Sequence, residues 1–397
     1  MKQCTTPNLL DLAKEYLVGR FNIVSALHLS VSPHSPTLCV VHAAHGATDG
    51  LDNPTASFDP DEAQFKALMK VAAERASFDR PDHSIISRAD KLKYPYLNQE
   101  YYFPIEEGRA EERYLKLFSE KRRVHWVIGV TYDGRPVYIP EDFVYRGGSR
   151  DFLYFANESG IAAHPDQLTA VKLAILSRLK ADAVMRTWYK QLSPYTISPQ
   201  YLPMMAQVRI ESWHKEGRTL TVSQLDNNYG EVYLAIIRGE KWPCFACGVG
   251  ITIDQETDVA IMDAIADAEM NFDLLSSYPD DIVPKRYSAI QTCLGHGFYY
   301  ADFNNSQSLS FLTERKELSK PFKRDVEFSE LVRKLDLKLV WLSRPSQSFH
   351  VVRVFSPKLV PISYGYGLEH YNHPALSSGG STTSDVAHSA PHCFMNP

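Results

Sequence analysis

The sequence predicts an α+β fold in which helices pack against β-sheet. Two observations predict it. One strand–turn–helix plan recurs three times, and short runs rich in Val, Ile, Tyr and Trp lie between the repeats. A third observation, the even spread of Pro and Gly without a composition break, predicts one domain over residues 1–374. Residues 375–397 change character. LSSGGSTTSDVAHSAPHCFMNP is rich in Ser, Gly and Thr and has no apolar period, so a flexible C-terminal tail is expected there.

The first repeat joins VVHAAHGAT to a helix over 59–78, DPDEAQFKALMKVAAERASF, with Phe65, Leu68, Met69 and Ala72 at helical spacing. The second joins SGIAA to a helix over 164–184, HPDQLTAVKLAILSRLKADAV, with Leu168, Val171, Ile175 and Leu179. The third joins CGVGITI to a helix over 254–275, DQETDVAIMDAIADAEMNFDLL, with Ile261, Ile265, Ala268 and Phe272. Each helix opens on acidic or capping residues, which suit the positive end of the helix dipole. Pro60 and Pro165 fall in the expected first turns, where a missing N–H costs nothing. Between the repeats, VHWVIGVTYDGRPVYIP reads as a hairpin turning at Asp133-Gly134. TLTVSQLD, EVYLAIIRG, LVWLSR and FHVVRVFS read as further strands.

Composition narrows the function classes. The chain has 397 residues, 44% hydrophobic and 22% charged, with a net charge of −5. No basic stripe is present, so a nucleic-acid backbone is not an expected partner. The amphipathic N-terminus is interrupted by Asp11, Lys14 and Glu15 and lacks a signal-peptide core. No apolar run approaches the roughly 18 residues of a membrane span. A cytoplasmic protein without membrane contact is expected. Six scattered cysteines are too few for a disulfide scaffold; Cys244 and Cys247 lack a second pair for zinc and read as small buried hydrophobes.

Several chemical patterns are absent. Gly248-Val249-Gly250 and the Tyr364–Gly367 run lack phosphate-loop spacing, no Gly-x-Ser-x-Gly elbow occurs, and the histidines lack zinc-protease spacing. Polar faces of the three helices remain. They read either as solvated helix surface or as a converging site, with Glu74 and Arg75 from the first helix and Asp263 and Asp267, one turn apart, from the third. Carboxylates grouped around a cleft can hold Mg²⁺ against nucleotide phosphates.

The chain from about Asn8 onward resembles the YcaO family. DFLYFANESGIAAHPDQL is similar to the family's Ser/Asn-Gly-x-Ala turn before its second acidic helix, and RLKADAVMRTWYKQLSP to its Glu-Arg-Asp-Ala helix end followed by Trp. GRPVYIPEDFVY resembles the preceding strand and Pro, and CGVGITIDQETDVAIMDAIADAE the third helix. FHVVRVFSPKLVPISYGYGLEHYNHPAL resembles the late strand and its His-Pro end.

The resemblance implies a YcaO-like fold with ATP and Mg²⁺ held between the helices. It also implies phosphorylation of a peptide-bond oxygen and, in one branch, attack by a Cys, Ser or Thr side chain to form an azoline. Phosphorylation turns a poor leaving group into a good one, and the metal offsets the charge of the transferring phosphate. The expected cofactor-binding positions are Glu74, Arg75, Ser159, Ser177, Lys180 and Asp182; the expected metal positions are Glu74, Asp263 and Asp267.

This sequence departs from the family pattern at several of those positions. An acid of the first helix falls on Val71 or Lys70, two acids of the second on Ser177 and Lys180, and its arginine on Ala181. An ammonium in place of a metal-ligand carboxylate inverts the local charge. The expectation is a degenerate ATP/Mg²⁺ site. The tail, Pro391-His392-Cys393-Phe394-Met395-Asn396-Pro397, resembles the proline-rich end of azoline-forming members; it implies a catalytic role for the Pro397 carboxylate.

Two functions follow from the resemblance, with thioamide-type backbone modification as a third. One is ATP-dependent peptide cyclodehydration in the maturation of a bacteriocin or similar peptide antibiotic. It would involve a ribosomally made precursor, a leader-binding partner protein and a flavin-dependent oxidase. The other is a non-catalytic scaffold that binds the precursor or a partner enzyme.

Overall fold

The computed structural model describes residues 9–20, 23–44, 54–81, 84–104, 115–146, 150–253, 256–313, 316–318, 321–323, 326–342, 349–365, 367–370, 372–377 and 392–394. Pro397 lies outside the described residues, as does Cys4.

Among the described residues three sheets carry the fold, and the mixed helix–sheet architecture is the expected one. The first sheet is antiparallel and runs β1 (Ala26–Val31), β2 (Cys39–Ala44), β3 (Thr55–Ser57). The second has six strands: β4 (Ile85–Arg88), β5 (Arg123–Thr131), β13 (Lys338–Trp341), β14 (His350–Phe355) and β7 (Ile161–His164) in that order, with β6 (Pro136–Pro140) also paired to β5. The third runs β11 (Phe245–Thr252), β10 (Glu231–Arg238), β9 (Thr219–Leu225), β8 (Tyr195–Ile197) and β12 (Lys316–Leu318). The hairpin expected at Asp133-Gly134 joins β5 to β6, with Gly134 at φ +81°. That φ suits glycine because a Cβ is disfavoured in the left-handed region.

The three repeated helices are α1 (Pro60–Phe78), α2 (Gln167–Tyr189) and, after α3 (Met204–Lys215), α4 (Thr257–Ser276). The side chain of Asp59 caps α1 by accepting from the backbone N–H groups of Asp61 and Glu62, and Pro60 occupies the first turn. Asp166 caps α2 in the same way, so Pro165 sits before the cap and outside the first turn. Most of the expected apolar faces are buried. Leu68, Met69, Ala72, Ile175, Leu179, Ile261, Ile265, Ala268 and Phe272 are buried, Phe65 and Val171 are partly buried, and Leu168 is 65% exposed.

The glycines of CGVGITI have a packing role. A Cβ on Gly248 would lie 2.2 Å from the Ala268 nitrogen, and one on Gly250 would lie 1.8 Å from the Ala260 oxygen. Ala260, Ala264 and Ala268 repeat every fourth residue of α4, so small residues on both sides let helix and strand backbones meet. Cys244 and Cys247 are free and buried, as expected for small hydrophobes.

The described part of the tail is packed. Ala375, Leu376, Cys393 and Phe394 join the core that contains Trp188, Phe245 and Tyr300. His392 is buried, stacks on His296 at 4.1 Å, and directs Nε2 at the Ser363 carbonyl at 2.8 Å. The composition that suggested flexibility belongs to the Ser/Gly run; the hydrophobic end behaves differently, because Phe394 buries a full aromatic ring. Among the described residues no helix is long and apolar enough to cross a membrane.

Candidate nucleotide cleft

The three repeated helices converge on one cavity of about 410 Å³. Helix α1 supplies Lys66, Lys70 and Glu74, spaced four apart and therefore stacked along one face. Helix α2 supplies Ser177 and Lys180, and α4 supplies Asp263 and Asp267. Arg146, after β6, and Glu158, before β7, close one side; Val249 to Ile251 of β11 form part of the wall.

The turn at 157–160 is held from behind. Arg353 donates to the carbonyls of Asn157 at 2.6 Å and Phe143 at 3.3 Å. Burial and the nearby Arg146 push its guanidinium down to about 9. Gly160 has φ +78°, and a Cβ there would fall 2.4 Å from Arg178 Cδ. Its N–H donates to Ser177 Oγ at 3.0 Å. Ser177 therefore fixes the turn that carries Glu158.

The charges in the cleft compensate one another. Four basic side chains (Lys66, Lys70, Lys180, Arg146) face four acidic ones (Glu74, Glu158, Asp263, Asp267). Lys66 Nζ lies 2.8 Å from Asp263 and 3.0 Å from Glu62. Burial alone would lower this ammonium's pKa, but the two carboxylates raise it. Arg146 lies 3.1 Å from Glu74 and 3.7 Å from Glu158. Lys180 donates to the Val249 carbonyl at 3.2 Å and lies 4.0 Å from Asp267. Burial raises the Asp267 carboxyl, and Lys180 opposes that rise. Lys70 donates to the Pro54 carbonyl at 3.4 Å; burial lowers its pKa, and Glu158 and Asp267 offset this only in part.

The cleft thus contains Glu74, Ser177, Lys180, Asp263 and Asp267 of the expected site residues, and three others lie elsewhere. Arg75 pairs with Asp79 at 3.1 Å and is substantially exposed; one residue past Glu74, it points about 100° away around the helix. Asp182 is fully buried, accepting from Arg186 Nε at 2.8 Å and the Val360 N–H at 2.7 Å. Two residues past Lys180, it faces the opposite side of α2. Ser159 Oγ lies 3.5 Å from Arg178 Nη1, outside the lining of the cleft. Val71 and Ala181 are core residues.

Lys66, Arg146 and Glu158 were not among the expected residues, and Lys70 was named only as a position where a family acid falls. The four-residue spacing from Glu74 back to Lys66 is a signal that could have found the two lysines. Arg146 and Glu158 sit in turns and carry no periodic signal.

Mg²⁺ prefers an octahedral oxygen shell in which carboxylates and waters approach closely. Here Glu74, Asp263 and Asp267 each face a lysine or arginine of another element. Among the described residues no group of three His, Cys, Asp or Glu side chains is arranged to hold a metal. A unit positive charge about 4 Å from an ammonium is opposed by roughly 4 kcal/mol at an effective dielectric of about 20, and a divalent ion by twice that. A divalent ion at these carboxylates would have to displace Lys66, Arg146 and Lys180 or share the carboxylates with them.

The solved structures most relevant to this arrangement share its fold. A heterocyclase determined in complex with substrate and cofactor aligns with TM-score 0.74 and 13% identity, covering 91% of this chain and 53% of its own. The chain therefore spans about half the length of that protein. The YcaO protein of Methanopyrus kandleri, bound with AMPPCP and Mg²⁺, aligns with TM-score 0.66 and 15% identity over 88% of this chain and 90% of its own. A chain of the E. coli microcin synthetase McbBCD complex aligns with TM-score 0.65 and 9% identity over 93% and 96%. No curated protein matches the chain in sequence. The family model described as YcaO cyclodehydratase, ATP- and Mg²⁺-binding, matches residues 56–360, well over half of the sequence, and the chain belongs to the YcaO family.

Proposed function

We propose that this protein is the YcaO component of an assembly that matures a ribosomally made peptide by converting Cys, Ser or Thr to azolines, and that it binds the peptide or a partner enzyme without turning over Mg²⁺-ATP itself. One observation carries this reading: the cleft carboxylates are engaged by Arg146, Lys66 and Lys180. Family membership and the fold shared with a heterocyclase and a microcin synthetase chain support the peptide-maturation context. The partners in this reading are the precursor, a leader-binding protein and, where azolines proceed to azoles, a flavin-dependent oxidase that accepts the two electrons removed. The Pro397 carboxylate has no step in this reading.

A second reading is favoured by the lysines themselves. Lys66, Lys70 and Lys180 line one cavity, and a lysine can pair with phosphate as a point charge. In that reading the chain performs ATP-dependent cyclodehydration itself.

The two are separated in the reconstituted assembly by following ATP hydrolysis and the loss of one water per ring by mass spectrometry. The proposal predicts that omitting this chain abolishes ring formation, while Glu74→Gln leaves both readouts intact. Loss of ATP hydrolysis in Glu74→Gln, with folding preserved, overturns it in favour of the second reading.

A further inference from the structure

We infer that a second groove, between the N-termini of α1 and α4 and the outer face of α3, docks a cationic segment of the peptide substrate through an apolar anchor. The choice of a peptide as occupant rests on the reading above; the surface itself does not. The groove has a volume of about 380 Å³. Its apolar wall is formed by Phe58, Met205, Val259 and Met262.

The outer face of α3 continues that wall. Met204, Met205 and Val208 share one face of the helix and are 82%, 45% and 52% exposed, while Ala206, Arg209 and Trp213 bury the other. Val259, on α4, is 52% exposed. Single exposed hydrophobic residues are ordinary, but a joined set beside a concavity marks an interaction surface. Methionines suit such a surface because their unbranched side chains adapt to different anchors.

The rim identifies the charge of the occupant. Asp59, Glu62, Asp258 and Asp263 line the groove, and among the described residues no basic one does. Lys66 reaches Glu62 and Asp263 from the cleft side, so one ammonium serves these two carboxylates and the rim keeps a net negative charge. Helix capping accounts for Asp59, which accepts from two backbone N–H groups. It does not account for Asp263, which sits in the second turn of α4.

Asp263 also lines the cleft, so groove and cleft adjoin there. A chain anchored in the groove by a Leu or Phe side chain, with Lys or Arg beside the carboxylates, would lie next to the cleft entrance. This adjacency favours the peptide substrate over an unrelated partner.

The test is fluorescence polarisation with two synthetic 14-residue peptides, one of Lys, Leu and Phe and the other with Glu in place of Lys. The Lys peptide should bind saturably and weaken with added salt. The Glu peptide should bind about tenfold more weakly or not at all. Asp258→Lys and Met205→Ser should each weaken the Lys peptide about fivefold or more with an unchanged melting temperature. A double change of Asp280→Asn and Asp281→Asn, in the short turn that follows the C-terminal end of α4, should leave it unchanged.

Equal binding of both peptides, or equal weakening by the Asp280/Asp281 control, overturns the proposal, since net charge would then explain the binding. Sedimentation showing a dimer that Val259→Lys dissociates also overturns it and assigns the face to a second copy. Mg²⁺-ATP binding in the cleft would overturn the proposed function and leave these peptide results standing. Failure of the peptide titration would remove the groove without touching the nucleotide result.

Discussion

Replacing Lys180 with Glu should strengthen divalent-cation binding in the cleft. Lys180 Nζ is 4.0 Å from Asp267 and both side chains are about a quarter or less exposed. At an effective dielectric of about 20, a unit charge pair at 4 Å interacts by roughly 4 kcal/mol, so reversal turns that attraction into a comparable repulsion. Solvent screening and side-chain rearrangement reduce the measurable loss to about 1–2 kcal/mol. The variant would also bring a third carboxylate beside Asp263 and Asp267. Mn²⁺ titration followed by electron paramagnetic resonance should show binding to Lys180→Glu at least about tenfold tighter than to wild type. Thermal melting should show a variant destabilised without divalent cation and restored by millimolar Mg²⁺. A variant whose stability equals wild type and does not respond to Mg²⁺ would refute the claim that Lys180 compensates Asp267.

Other predictions concern the scaffold. Glu269 is fully buried and accepts from Arg209 Nε and Trp213 Nε1, each at 2.7 Å, so Arg209→Met should cost about 3–5 kcal/mol in urea unfolding by stranding the carboxylate. Phe394→Ala should cost about 3–5 kcal/mol if the tail end is part of the core; a change below about 1 kcal/mol would mean the tail is only loosely seated. Burial pushes His370 and His392 down to about 4 from an ordinary 6.5. The unfolded chain then binds more protons below pH 6.5, so stability is fully present above 6.5 and falls as pH drops toward 4, by on the order of 3 kcal/mol per histidine at full effect. A melting temperature that stays flat from pH 7 to pH 5 would contradict this.

The helices were legible in the sequence because their apolar spacing and capping acids are local signals. Asp59 and Asp166 mark helix starts that the structure contains, and Ile261 to Phe272 bury the face their spacing predicts. The polar faces of the first and third helices offered Glu74 and Asp267 as one of two readings, and Lys180 entered only through the resemblance to the YcaO family. Arg75 and Asp182 were misjudged because adjacency in sequence does not mean a shared face; a helix turns about 100° per residue. Arg146 and Glu158 were missed because their position depends on Arg353, Arg178 and Gly160, contacts between distant segments. The glycines of β11 looked like a failed phosphate loop, whereas their neighbours in space, Ala260 and Ala268, explain them. The end of the tail was obscured by its own linker: a Ser/Gly-rich run precedes Phe394, whose burial depends on a pocket made by other segments.

The most direct measurement is calorimetric titration of the purified protein with ATP, with and without Mg²⁺. Internal compensation of the cleft carboxylates predicts no Mg²⁺-dependent binding up to about millimolar nucleotide. Micromolar affinity that appears only when Mg²⁺ is added would contradict it.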